Sequence, residues 1–185
     1  MFDHLREDTR RLRATKRRGA PWYVIESLLF ETGYQAVVLH RLAHWFRSRR
    51  IPFFGPAIAR FNQFLTGADI SPAARIGPGL QISHGTGIVV GWEVVIGRDC
   101  LIMQGVTLGA PDVARLGEMP TLGDRVVLGA GCAVIGKVTI GDDCLVGVHA
   151  LVTEDLPAGH RALAPRAKTG DSLRISTSGP APADD

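Results

Sequence analysis

The chain has 185 residues, of which 45% are hydrophobic and only 6% aromatic, and its formal net charge is +3. This length supports one main core with appendages and excludes two large independent domains. Because aromatic residues are few and glycines number 22, the core must consist of small and aliphatic side chains joined by tight corners. That composition suits a repetitive β fold.

The excess positive charge lies within residues 6–18. A basic segment can bind nucleic acid or anionic lipid, but a solvated helix face is the simpler interpretation. No aromatic residue is interleaved with these charges, so we expect no nucleic-acid partner. The longest apolar runs, 25–30 and 36–39, are far shorter than the roughly 20 residues that span a bilayer. We therefore expect no transmembrane segment and a cytoplasmic protein.

Helices are predicted before the repeats begin. Apolar residues at helical spacing predict one helix over residues 33–48. Two prolines, Pro52 and Pro56, are expected to break it, and a second helix over 57–65 leads into the first repeat. The apolar stripe of the first helix consists of Tyr34, Val37, Val38, Leu42, Trp45 and Phe46.

From residue 70 onward, aliphatic residues recur every six positions. Neither an α-helix nor a flat strand has this period, so it predicts a triangular solenoid with one aliphatic residue per side. Stacking successive coils about 4.8 Å apart places Leu122 beneath Ile140 and Leu128 beneath Val146. The repeat residues are Ile70, Ile76, Ile82 and Ile88, then Val90, Ile96, Ile102 and Leu108, then Leu122, Leu128, Val134, Ile140, Val146 and Val152.

All three cysteines occupy one position of this repeat. Cys100, Cys132 and Cys144 each stand four residues after an aliphatic repeat residue, where other repeats have Val or Ala. We therefore predict that they are small apolar fillers of the interior rather than nucleophiles, disulfide partners or zinc ligands.

Two irregularities interrupt the register. Between Ile88 and Val90 the phase slips by two residues, which requires a bulge or a changed corner in one coil. The segment 109–121 contains two prolines and no consistent period, so we predict a loop that projects from a corner. Insertions in solenoids concentrate on faces that bind a ligand or partner.

Three regions follow from these patterns. Residues 1–68 form an N-terminal helical region that covers one end of the solenoid. Residues 69–168 form the solenoid domain. Residues 169–185, rich in Ser, Pro, Ala and Asp, are predicted to be a disordered tail.

The segment 69–91 resembles the start of the catalytic domain of serine acetyltransferases. The resemblance centres on His84 and the Gly-Thr-Gly-Ile-Val-Val-Gly that follows it, and continues through 104–109 and 129–131. It implies a mainly β fold, a left-handed parallel β-helix of hexapeptide repeats with a short helical region before it. It also implies an O-acetyltransferase that uses acetyl-CoA as co-substrate, needs no metal and acts most simply on L-serine.

His84 is the candidate general base. An alcohol attacks a thioester slowly while it keeps its proton, and a neutral imidazole is suited to accept that proton. The resemblance implies that Asp69, fifteen residues earlier, orients the imidazole and stabilises the imidazolium, with direct attack in a ternary complex. The alternative interpretation is a surface histidine and a turn aspartate.

The resemblance also implies a homotrimer with acetyl-CoA in a groove between neighbouring subunits. The pantetheine arm would follow the coils that hold Gly109, Ala130, Gly131 and Gly136. Small residues there allow close approach to the backbone. For four cations two interpretations stay open, a contact with the CoA phosphates or a solvated surface charge. They are Lys137, Arg161, Arg166 and Lys168.

The residues that recognise serine in the family are changed in this chain. Ser83 replaces an Asp immediately before His84, and Arg18 stands where the family has another Asp. Glu118 and Met119 replace an Arg-His pair in the loop, and an anion in place of a cation opposes carboxylate binding. The acceptor therefore stays open between L-serine and a sugar or other modified hydroxyl compound, as in short relatives associated with exopolysaccharide or natural-product synthesis.

Other classes of function are less well supported. A zinc hydratase of the carbonic-anhydrase type needs three histidines, and the repeats hold only His84 and His149. His40 and His44 lie four residues apart on a predicted helix, without the Glu of a metalloprotease motif. A non-enzymatic scaffold would bind no CoA. We also expect no cysteine-synthase complex, because the C-terminal residues Asp184 and Asp185 cannot replace the apolar terminal Ile that the family uses for it.

Overall fold

A computed structural model describes residues 2–16 and 22–165. Arg18, Arg166, Lys168 and the predicted tail 169–185 lie outside the described residues. The helices are α1 (Phe2–Lys16), α2 (Trp22–Phe30), α3 (Thr32–Ser48) and α4 (Phe54–Thr66). The strands are β1 (Asp69–Ile70), β2 (Arg75–Ile76), β3 (Gln81–Ile82), β4 (Val89–Val90), β5 (Val95–Ile96), β6 (Leu101–Ile102), β7 (Thr107–Gly109), β8 (Thr121–Leu122), β9 (Val127–Leu128), β10 (Ala133–Ile135), β11 (Thr139–Ile140), β12 (Leu145–Val146), β13 (Leu151–Val152) and β14 (Arg161–Ala162).

The predicted helix over 33–48 is confirmed as α3, and the second predicted helix as α4. However, α4 begins at Phe54 and not at residue 57, so Pro56 lies in the first turn of the helix and does not precede it. Proline is tolerated in the first turn of a helix because the backbone N–H groups there have no partner within the helix. None of the helices in the described ranges is long and apolar enough to cross a membrane.

The repeats form a left-handed parallel β-helix with three sheets. The first sheet contains β1, β4, β7, β10 and β13, the second β2, β5, β8 and β11, and the third β3, β6, β9, β12 and β14. The predicted stacking is confirmed, because Leu122 pairs with Ile140 and Leu128 with Val146.

The interior consists of aliphatic ladders and rows of small fillers. The second residue of each strand from β1 to β13 points inward and is buried. The three cysteines are buried and free, as predicted, with exposures of at most 1%. Burial raises the pKa of the Cys100 and Cys132 thiols to about 11, so both are protonated at neutral pH and are poor nucleophiles.

The corner before β4 explains the phase slip near residue 88. Val90, not Ile88, occupies the aliphatic ladder, where it pairs with Ile70 and Leu108. Ile88 instead fills the interior just before the strand, so its assignment to the aliphatic repeat was wrong. The corner between β3 and β4, residues 83–88, is two residues longer than the corner after β6, residues 103–106. This longer corner contains His84.

The helices are attached to the first coil by buried polar contacts. Arg41 of α3 forms a buried ion pair with Asp8 of α1, with Nε 2.9 Å from Oδ2. The Arg41 guanidinium also donates to the carbonyls of Ile76 and Gly77, while Asp8 accepts from the Leu80 backbone N–H. This network links α1, α3 and the first coil through side chains that are almost fully buried.

Candidate active site

His84 lies exposed on the long corner, and the helices fix the backbone around it. The Gly87 N–H donates to the Gly67 carbonyl at 3.0 Å, directly after α4. On the other side, the Gly85 N–H donates to Thr32 Oγ1 at the start of α3, at 3.4 Å. Gly85 is buried, and a Cβ there would be 3.0 Å from the Thr66 carbonyl oxygen. The corner is therefore held between two helix ends while the imidazole stays accessible.

Asp69 begins β1 and lies on the coil next to that of His84. Its N–H donates to the Ile88 carbonyl at 2.8 Å, and its exposed carboxylate accepts from Gln63 Nε2 at 3.4 Å. Within the described part of the chain, the His84 ring forms no hydrogen bond, including none to Asp69. The structure thus brings both residues to one edge of the first sheet without joining their side chains.

The strands of the first sheet all begin on this side, which we call the His84 edge. It is formed by the corners 83–88, 103–106, 129–132 and 147–150. Gly87, Gly105 and Gly131 follow one another along it, with φ values of 72°, 70° and 65°. The Gly105 N–H donates to the Thr86 carbonyl and the Gly131 N–H to the Gln104 carbonyl, at 3.0 and 2.8 Å. A Cβ at Gly131 would be only 2.5 Å from the His149 ring. The missing Cβ atoms let successive corners stack closely in this column, which includes the predicted Gly131, with the predicted Ala130 directly before it.

The opposite edge of the first sheet, where its strands end, is called the loop edge and consists of the corners 71–74, 91–94, 110–120 and 136–138. Gly109 and Gly136 lie there, and the Gly136 N–H donates to the Gly109 carbonyl at 2.9 Å. Apart from the glycine and its two chain neighbours, no atom of the described residues lies within 4 Å of a Cβ built on either glycine. Glu118 and Met119 lie on this edge too, whereas Ser83 lies beside His84. The predicted site residues therefore form two sets, separated by the width of the first sheet.

The predicted loop leaves the corner after β7 and contains one turn of 3₁₀ helix, Val113–Arg115. Asp112 caps this turn by accepting from the Ala114 and Arg115 N–H groups. The Arg115 side chain pairs with Asp112 at 2.8 Å and with Glu118 at 3.8 Å. Its hydrogen bond to Asp112 lowers the pKa of that carboxyl group. Arg115, the cation of this loop, is thus paired with two carboxylates.

The two helical histidines do not form a metal site in the described residues. His40 is fully buried, and desolvation, followed by the nearby charges of Arg41 and His44, lowers its pKa to about 3. Its ring centroid is 5.9 Å from that of His44, whose Nδ1 lies 2.9 Å from the Pro72 carbonyl oxygen. No cluster of three or more metal-ligating side chains occurs in the described ranges. His40 is a neutral core residue.

The architecture and the His84 corner define a hexapeptide-repeat transferase, and a comparison with family models agrees. Residues 119–154 match the family described as bacterial transferase hexapeptide (six repeats). The chain is 44% identical to the serine acetyltransferase of Helicobacter pylori over 144 residues, which cover 78% of this chain and 84% of that protein. It is 40% identical to the Mycobacterium tuberculosis serine acetyltransferase over 157 residues, or 85% and 68% of the two chains. The chain belongs to the serine acetyltransferase family, which confirms the resemblance.

Solved structures extend this similarity to the whole fold. Soybean serine acetyltransferase complexed with serine superposes with a TM-score of 0.79 at 33% identity, over 90% of this chain and 68% of that chain. The Brucella abortus enzyme in complex with coenzyme A gives 0.79 at 28% identity, over 90% and 66%. This chain thus spans about two thirds of the length of those structures.

Proposed function

We propose that this protein transfers the acetyl group of acetyl-CoA to the hydroxyl of L-serine, forming O-acetylserine and CoA. The observation that carries the proposal is the 44% identity to a serine acetyltransferase over 84% of that relative's length. The accessible His84 on a helix-clamped corner supports it, because the reaction needs a base that reaches the acceptor hydroxyl.

In this mechanism, His84 accepts the hydroxyl proton as the serine oxygen attacks the thioester carbonyl. The tetrahedral intermediate then collapses, the C–S bond breaks, and the imidazolium returns the proton to the departing thiolate. Asp69 is the positioning residue, turning its carboxylate toward the imidazole once the substrates exclude water from the edge. No acetyl-cysteine forms, because the three thiols are buried in the interior of the β-helix.

We further propose a homotrimer in which the two edges meet between neighbouring copies. The His84 edge of one copy, with Ala130 and Gly131, would face the loop edge of the next, with Gly109 and Gly136. Outward-facing Val89 and Leu151 of the first sheet are 42% and 67% exposed, an apolar face that a three-fold contact would cover. Acetyl-CoA would lie in the groove between the copies, and the free cysteines fit a reducing cytoplasm.

An acceptor screen tests the proposal. Purified protein with acetyl-CoA is assayed for CoA thiol release with L-serine, L-homoserine and common sugars. Release that depends on L-serine supports the proposed reaction. The Glu118 carboxylate and the paired Arg115 favour a second candidate, an uncharged sugar hydroxyl, and release with sugars alone would establish that alternative.

A further inference from the structure

A groove of about 480 Å³ lies beside the loop edge and extends over the second sheet. The C-terminal part of α3 forms one side, and loop 110–120 forms another. The outward-facing first residues of four successive strands of the second sheet form its floor. Its lining includes Arg47, Arg75, Trp92, Glu93, Met119 and Lys137.

Three cations converge on this groove from three separate segments. They are Arg47 of α3, Arg75 at the start of β2 and Lys137 in the corner after β10. In the portion of the chain that the structure describes, none of these three side chains forms a hydrogen bond or an ion pair. The one carboxylate in the lining is Glu93. Unpaired cations around a concave surface favour a bound anion.

The walls of the groove are held in place without a ligand. Trp92 Nε1 donates to the Leu116 carbonyl at 3.0 Å, which fixes the indole against the loop. Met119 packs on the hydrophobic core, and a Cβ at Gly91 would be 2.8 Å from its sulfur. The absence of a side chain at Gly91 thus lets Met119 anchor the loop. A preformed site loses less entropy when it binds a ligand.

We propose that Arg47, Arg75 and Lys137 bind the carboxylate of the acceptor, an inference that rests on the proposed function. Gly117 and Met119 belong both to this groove and to the loop expected to contact the acceptor. Because Arg115 is already paired with two carboxylates, the loop offers no free cation of its own. The groove supplies that charge from α3 and the second sheet. Its position beside the loop edge means that the held acceptor reacts with His84 of a neighbouring copy.

Steady-state kinetics with single charge changes test this assignment. Arg75→Gln and Arg47→Gln should each raise the KM for L-serine by about tenfold or more, since a charge-assisted hydrogen bond is lost. The KM for acetyl-CoA should stay within about twofold. Glu93→Gln should act in the opposite direction and lower the KM for L-serine, which a merely structural role would not produce. Arg13→Gln, an exposed arginine on α1 outside the groove, is the matched control.

Equilibrium titration separates this inference from the proposed function, because it requires no turnover. L-serine should bind the wild-type protein and bind Arg75→Gln more weakly, whereas L-serinamide, which lacks the carboxylate, should bind both equally.

Serine turnover with an unchanged KM in both arginine variants would overturn the groove assignment and leave the function intact. A rise in the KM for acetyl-CoA alone would assign the groove to a CoA phosphate and overturn the carboxylate assignment. Carboxylate-dependent binding of L-serine without acetyl transfer would refute the proposed function and leave the groove assignment intact.

Discussion

At the scale of single residues, the chemistry depends on a histidine that is reachable by substrate yet attached to a rigid backbone. The corner around His84 achieves this with backbone hydrogen bonds to the ends of α3 and α4. The exposed imidazole and the Asp69 carboxylate lie at the same edge without a hydrogen bond between them. Catalytic hydrogen bonds often form only once substrates are bound.

Replacing His84 with Ala should lower kcat by about 10²- to 10⁴-fold, the usual contribution of a general base. CoA affinity should remain within a few-fold, because the pantetheine arm is expected to contact glycine-rich backbone instead. Asp69→Asn should cost less than His84→Ala. Thiol release and CoA titration measure both quantities, and near-normal turnover of His84→Ala would exclude it as the base.

The cysteines allow a second test at this scale. Changing Cys100, Cys132 and Cys144 together to Ala should retain acetyl transfer, because all three thiols are buried fillers. Chemical denaturation should show a loss of about 1 kcal/mol per site from the small cavities created. A mass spectrum of an acetylated cysteine trapped during turnover would contradict direct attack.

At the scale of elements, α3 carries two buried groups whose protonation or pairing sets stability. His40 has a pKa of about 3 in the folded chain, below the ordinary 6.5 that applies when unfolded. The unfolded chain therefore binds the extra proton, and stability is lost as the pH falls below 6.5. By pH 5 this amounts to about 2 kcal/mol.

The pH dependence can be isolated with a variant that does not titrate. The side chain of His40→Gln does not titrate, so its free energy of unfolding lacks this pH dependence. Between pH 7.5 and pH 5, the wild type should therefore lose about 2 kcal/mol of unfolding free energy relative to the variant. Urea unfolding at several pH values measures it. A difference that stays constant over this range would show that His40 binds its proton equally well in the folded and the unfolded chain, which contradicts a lowered pKa.

The buried ion pair between α1 and α3 gives the second element-scale prediction. Asp8→Asn should destabilise the protein by about 3–5 kcal/mol, because it leaves the Arg41 guanidinium buried without its counter-charge. The same change at Asp3, exposed on the same helix, is the matched control and should have little effect. Equal stability losses in the two variants would argue against a specific role for the pair.

The six-residue period predicted the coils and their register because each repeat residue faces the interior of its own coil. The slip of two residues near Ile88 indicated a changed corner, and the structure places that corner before β4. The period did not show on which side of the slip Ile88 lies, and Ile88 was therefore assigned to the wrong row. Helices α1 and α2 lie within the region 1–68 that was expected to be helical, but their bounds were not predicted. In α1, charged residues dominate, and its principal buried contact, Asp8 with Arg41, joins residues 33 positions apart.

The candidate site was only partly predictable for a related reason. Motif matching identified His84 and the small residues, but linear spacing does not reveal which edge of a sheet a corner occupies. The coil geometry separates the His84 edge from Glu118 and Met119. The cationic groove was not predicted, because Arg47, Trp92 and Lys137 come together only in the folded chain.

At the scale of the whole molecule, two edges of one chain can meet only if copies associate. Co-expression of His84→Ala with Arg75→Gln chains tests this sharing. Mixed trimers should contain sites that combine an intact His84 from one chain with an intact groove from the other, in roughly a quarter of all sites for an equal mixture. The mixture should therefore exceed the summed activities of the separate variants. Activity equal to that sum would place the whole site within one chain.

The most direct test of the proposed reaction is identification of its product. Wild-type protein is incubated with L-serine and acetyl-CoA carrying ¹³C in the acetyl group, and carbon NMR follows the label. The proposed function predicts that the thioester signal is replaced by an ester on serine oxygen, at a rate that collapses in His84→Ala. Label that stays on CoA in the presence of L-serine, or moves only when a sugar is supplied, would contradict it.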